Sequence, residues 1–427
     1  MALNRLRQGS LLSLALIIVT AGCQQKARVI TVAAMPSPVS GQALVPQVTP
    51  LSGGRLLLSW QTPLPEGGYA FSIAIRSADG RWSEGRPVST GPELSMFTAD
   101  LPGVAQMPDG TLLAYWEVKD GRDGDPYATN IQTSLSRDNG TTWTASSQPY
   151  GNRLSGQHSF LSWFPAKDGI GLLWLDAEAR SQVRHISLAH GHSAMPDNMG
   201  SIGLRFADID TAGHLRSDSF VAPITCECCP TSAAVTARGP VVVYRGRQDP
   251  PGTTPSEVRT DLNTVRDIYI ARLESGKWTT PHKVYADNWV INACPDNGPA
   301  IDVAGNNVAV AWWTRPQGVP KVEIAFSTDS GETFGVPIRA DLGNPEGQVT
   351  IAILPEGKSA IIGWLEGGQT WARFVSGSGS QGPAVSLGSA ARHSRLPRWV
   401  AESNGVTAFW TARQEKTTQV RVSRLSW

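Results

Sequence analysis

Charge, helical pattern and long apolar runs are all scarce in this chain, and each scarcity narrows what it can be. Asp, Glu, Lys and Arg make up 17% of the 427 residues and the net charge is +1. That balance gives no electrostatic case for holding nucleic acid or an acidic surface. Apolar residues rarely recur at helical spacing. Beyond the first 22 residues no apolar run approaches the roughly 20 needed to span a bilayer as a helix. What is plentiful, with 43 Gly, 30 Pro and 15 Trp, suits an all-β fold with many turns.

The first residues read differently from the rest. Arg5 and Arg7 precede an apolar run from Leu11 to Val19, and small residues then lead to Cys23. This is the layout of a secretory signal. The stretch "TAGC" resembles a bacterial lipobox, which implies acylation of Cys23 as the first residue of the mature chain. Gln24 stands where an Asp would favour inner-membrane retention. The expectation is a signal peptide over 1–22, then one domain over 23–427 held by lipid at the outer membrane, facing the periplasm and acting as a monomer.

That domain repeats. Apolar strands ending in an aromatic recur at Trp60, Trp116, Trp174, Tyr244, Trp312, Trp364 and Trp410, at intervals of 56, 58, 70, 68, 52 and 46 residues. The spacing fits four-stranded propeller blades, each with a strand A before the aromatic strand B and strands C and D after it. Seven units predict a seven-bladed β-propeller, with six the alternative. The last unit shows three clear strands, and Arg28 to Ala34 supplies a fourth that closes the ring.

Two turns share one pattern. Ser136, Asp138, Gly140, Thr142 and Trp143 stand in register with Ser327, Asp329, Gly331, Thr333 and Phe334. In each the carboxylate can accept backbone N–H groups just after it, and the glycine supplies a positive φ. The pattern resembles the Asp box, or BNR repeat, of the sialidase superfamily. Degenerate copies lie at Arg76 to Trp82 and at Leu273 to Trp278. The resemblance implies a propeller with these turns on the face away from the active site. It also implies exo-glycosidase activity or binding of an anionic glycan, with no cofactor.

Functional residues should then follow strand B or precede strand A. Glu117, Asp176, Arg245, Arg247, Arg315, Glu366 and Arg413 follow the B aromatics. Paired carboxylates serve a glycosidase as acid and base, and arginines clamp an anionic sugar. Glu117 or Asp176 is the expected acid/base, Arg245 with Arg247 the expected clamp, and Arg398 a further guanidinium. The bland alternative is a rim of interlocking salt bridges. The Phe/Tyr-Arg-Ile-Pro motif of sialidases is missing, the corresponding region reading "AAMPSPVSG".

The cysteines offer a second chemistry. Cys226, Cys228 and Cys229 precede strand A of the fourth unit, Cys294 precedes strand A of the fifth, and both loops carry Cys-Pro. Two disulfides are one reading, with Cys226 or Cys229 joined to Cys294 as the staple. A thiolate site for copper or zinc is the other. Residues 185–199 add His185, His190, His192, Met195 and Met199, five of only seven His and six Met in the chain. His190 and His192 are the expected extra ligands. A non-catalytic interaction scaffold is the third functional class left open.

Overall fold

A computed structural model describes residues 28–94, 101–120, 128–150, 156–177, 202–248, 264–391, 397–403, 405–415 and 417–427. These residues form seven antiparallel sheets and one short two-stranded ribbon. The innermost strands are Leu44–Leu51, Gly103–Gln106, His158–Ala166, Ser232–Thr236, Ala300–Ala304, Pro345–Ile353 and Arg398–Glu402. Each touches the next, and the last touches the first, so seven blades close around a central channel. Of the two blade counts read from the sequence, seven is the one observed.

Closure joins the two ends of the chain. Thr31–Met35 pairs in register with Thr417–Ser426, so the N-terminal segment becomes the outermost strand of the seventh blade. The second blade has three described strands, and an isolated bridge between Thr133 and Ser147 stands where its fourth would lie. The ribbon pairs Thr264–Val265, between the second and third strands of the fourth blade, with Val290–Ile291, in the connection to the fifth.

The apolar runs read from the sequence are the second strands, and the reason is steric. A middle strand of a blade has a neighbouring blade on each face, so both of its faces need apolar side chains. Gly169–Asp176 is buried at every position. Leu113 and Ile131 of the second blade pack with Ile170, Leu172 and Ile209 of the third. Val241 and Val243 of the fourth pack with Val308 and Val310 of the fifth.

The aromatic that ends these strands is a wedge between blades. Trp174, Trp312 and Trp364 are fully buried. Their indole N–H groups each donate to a carboxylate: Asp176 at 2.8 Å, Asp287 at 2.7 Å and Glu366 at 2.8 Å. A buried hydrogen bond to a charged acceptor contributes about 1.5–3 kcal/mol.

The paired turns hold the other face. Asp138 Oδ1 accepts the N–H groups of Thr141 and Thr142 at 3.0 and 2.9 Å, and Asp329 Oδ1 those of Glu332 and Thr333 at the same distances. Gly140 and Gly331 have φ of 77° and 80°. A Cβ on Gly140 would meet Ile73 Cδ1 at 2.4 Å, and one on Gly331 would meet Ile270 Cδ1 at 2.6 Å. Each turn is thus seated on the third strand of the blade before it, and glycine allows that approach.

Candidate functional site

The opposite face carries three kinks in the inner ring. Val45, Phe160 and Gln348 have φ of 48°, 59° and 56°, and each sits where the pairing of its innermost strand slips. Bulges of this kind re-aim side chains beside functional sites. Two are held by the preceding blade: Glu117 Oε1 accepts the N–H of Phe160 at 3.1 Å, and Asn297 Oδ1 that of Gln348 at 2.7 Å.

The carboxylates expected as acid and base both lie in the interblade packing. Glu117 is 6% exposed and fixes the Phe160 kink, while Asp176 is fully buried and takes the Trp174 indole. His158 Nε2 and Arg205 Nε lie 4.0 and 3.9 Å from Asp176 Oδ2. Tyr150 stacks on His158 with ring centroids 4.6 Å apart. Burial, with the Asp176 and Glu117 charges nearby, holds its phenol well above the usual range. Glu117 and Asp176 therefore share one buried wedge between the second and third blades, and neither lines the channel.

Arg245 and Arg247 are both engaged by groups of the protein itself. Arg245, 1% exposed, donates to three backbone carbonyls: Asn297 at 2.9 Å, Arg266 at 2.6 Å and Trp313 at 2.6 Å. Its guanidinium also lies 5.1 Å from the Trp289 ring. It ties the fourth blade to the loop before the fifth. Arg247 pairs with Glu227, whose other oxygen takes Arg266 at 2.9 Å. Burial pushes the Glu227 carboxyl up, but the Arg266 and Arg247 charges outweigh it and the net direction is down. One carboxylate between two guanidiniums satisfies the pairing that burial demands. Spacing alone singled out Arg247 but gave no sign that Glu227, inside the Cys-Glu-Cys-Cys run, was its partner.

The cysteines do come together. Cys228 and Cys294 form a disulfide with Cα atoms 5.9 Å apart, joining the loops before the fourth and fifth blades. The expected staple is there, but Cys228 makes it in place of Cys226 or Cys229, because those two turn inward and are 1% and 2% exposed. Their sulfurs are 3.2 Å apart. Burial pushes the Cys226 thiol up, but its hydrogen bond with Cys229 and the Arg266 charge bring it below the usual thiol range. Cys229, buried against that partner, is pushed well above it. Two of the four sulfurs are bonded to each other, so two remain as thiols. His190, His192 and Cys23 lie outside the described residues.

The channel itself holds a cavity of ≈ 620 Å³ formed by the innermost strands. Arg398 and Asp302 are the charged side chains among its described lining, beside Trp163, Trp399 and Tyr115. Arg398 Nε donates to Gln47 Oε1 at 2.6 Å. Burial brings its guanidinium down to about 10, which leaves it cationic at neutral pH. Burial likewise pushes the Tyr115 phenol up to about 12, against the Arg398 charge and a hydrogen bond with Trp163. Asp302, whose oxygens accept the N–H groups of Val303 and Ile353 at 2.9 and 2.8 Å, is raised by burial to about 6. Sequence position named Arg398; the aromatics and Asp302 lie inside strands whose inward direction no motif reveals.

No protein-family model and no curated protein matches the chain. Among solved structures it is similar to the polysaccharide lyase Uly1, with a TM-score of 0.52 at 11% identity over 89% of each chain. That likeness is one of fold, and it agrees with the ring described above. A Penicillium chrysogenum α-L-arabinanase complexed with arabinobiose gives a TM-score of 0.42 at 12% identity, over 94% of this chain and 99% of that one. A Trypanosoma rangeli sialidase gives 0.41 at 10% identity, over 82% of this chain and 56% of that one.

Proposed function

We propose that this propeller binds an acidic glycan in its central cavity, with Arg398 holding the ligand's carboxylate and Trp163 and Tyr115 giving its sugar rings an apolar and hydroxyl-bearing wall. The observation that carries this reading is the cavity lining: aromatic surface and one cation, Arg398, among apolar and hydroxyl-bearing residues, with Asp302 the other charged group. An arginine brings two parallel N–H donors to a carboxylate, and low local dielectric strengthens the pair. A lipid tether at Cys23 would hold the propeller near the outer membrane.

Binding is favoured over hydrolysis by the same geometry. A glycosidase of the usual kind needs two carboxyl groups flanking the bond. Among the described lining residues the carboxylate is Asp302 alone, and both of its oxygens accept backbone N–H groups. Titration calorimetry with an acidic oligosaccharide and its carboxyl-reduced counterpart tests the reading. The acidic form should bind at least about tenfold tighter, roughly 1.4 kcal/mol. Equal affinity, or no binding of either, contradicts it.

A metal-handling role is the second reading, and it rests on the Cys226, Cys228 and Cys229 sulfurs lying within 4.8 Å of one another. Reduction of the Cys228–Cys294 bond would offer four thiols to copper or zinc, ions that such soft ligands suit. Near one equivalent of either metal in protein purified under reductant supports this role, and none contradicts it.

A further inference from the structure

The cavity uses none of the cysteines, yet their arrangement is ordered. Cys226 and Cys229 are buried thiols with sulfurs 3.2 Å apart. Cys226 Sγ stands 3.9 Å from Cys228 Sγ, and Cys228 is bonded to Cys294, an exposed residue on the face where the kinks lie. The sulfurs therefore run from a buried dithiol, through the disulfide, to an exposed end.

We infer that these four residues form a thiol–disulfide exchange site that carries the two electrons of the buried dithiol out to a disulfide-bearing substrate at Cys294. In the first step the Cys226 thiolate attacks Cys228 Sγ. A Cys226–Cys228 bond forms, the Cys228–Cys294 bond breaks, and Cys294 leaves as a thiolate. Cys229 then gives up its proton and attacks Cys226 Sγ. The Cys226–Cys229 bond forms and Cys228 leaves as a thiolate. The two protons lost by Cys226 and Cys229 are taken up by Cys228 and Cys294. Two thiols and one disulfide stand on each side, so this internal step consumes neither oxidant nor reductant. In the outward step the Cys294 thiolate attacks the substrate disulfide and releases one substrate thiol. Cys228 then attacks Cys294 Sγ, restoring the Cys228–Cys294 bond and releasing the second. The substrate is reduced by two electrons and the chain is oxidised by two.

The test uses the chain with Cys23 replaced by Ser, poised at two thiols per molecule, in the presence of a chelator. It is alkylated slowly with iodoacetamide, quenched in acid and mapped by peptide mass. Exchange predicts label on Cys228 and Cys294 as well as on Cys226 and Cys229. In Cys226→Ser the label on Cys294 should disappear, and in Cys229→Ala, where the first step survives, it should persist. Wild-type label confined to Cys226 and Cys229 overturns the inference, and so does Cys294 label that is undiminished in Cys226→Ser. The wild-type pattern decides the matter even if a variant fails to fold. Oxidised glutathione probes the outward step: each chain should consume one equivalent, and no consumption contradicts that step.

Discussion

Glu117 and Asp176 show how one residue type at one rim serves different ends. Both follow an aromatic at the end of a second strand, the position where a catalytic acid would stand. Glu117 holds the Phe160 amide and Asp176 holds the Trp174 indole. Replacing Glu117 by Ala leaves a buried N–H without its acceptor and should cost about 1–3 kcal/mol. Glu117→Gln keeps an acceptor oxygen and should cost less. Urea melts of the two variants check the order, and glycan affinity should change little in Glu117→Gln. Asp302 carries a prediction of pH dependence. Its pKa of about 6 makes it negative above that value and neutral below it. In the cavity that Arg398 also lines, the charged form repels an acidic ligand and the neutral form does not. Affinity should therefore rise as pH falls from 7.5 to 5, and Asp302→Asn should flatten that profile in calorimetry.

At the scale of elements, the turns and second strands were legible and the kinks were not. Ser136 to Trp143 and Ser327 to Phe334 announced themselves because a turn's chemistry is local: a carboxylate, a hydroxyl and a glycine within six residues. Ser327 Oγ accepts the N–H groups of Gly331 and Asp329 at 3.0 and 3.3 Å and donates to the Asp329 carboxylate at 2.6 Å, so Ser327→Ala removes all three bonds. The expected loss is about 1 kcal/mol, read as a lower midpoint in thermal melts. Hydrogen bonds to Ser327 and Thr333 outweigh burial, the largest single influence, and hold Asp329 near 2, below its ordinary 3.8. A depressed carboxylate contributes stability that is complete above its unfolded pKa and is lost as pH falls from about 4 to about 2. Asp329→Asn should shrink the acid-induced drop in melting temperature over that window. The kinks at Val45, Phe160 and Gln348 carry no local signal because none is a glycine, and the support of Phe160 and Gln348 comes from another blade.

At the scale of the molecule, ring closure was readable from the count of strands, since a last unit with three strands needs a fourth from elsewhere. The observed partner is Thr31–Met35. Removing residues 28–35 should open the seventh blade and lower the melting temperature more than any single substitution above, as differential scanning calorimetry would show. Which side chains face the channel was harder to read. An innermost strand alternates between channel and blade, and a one-residue slip at a kink exchanges those directions. Arg398 was visible as a guanidinium at the start of a strand, whereas Trp163, Tyr115 and Asp302 of the same lining were hidden by register. The cysteine cluster was visible as four sulfurs, but its pairing followed from which thiols turn inward.

The central claim is that Arg398 makes the cavity a site for an acidic glycan. The most direct measurement is the affinity of an acidic oligosaccharide for the parent protein and for Arg398→Gln, by titration calorimetry at pH 7. The account predicts that the parent binds and that the variant, with its fold intact by circular dichroism, loses at least about tenfold in affinity. Unchanged affinity in the variant would contradict it.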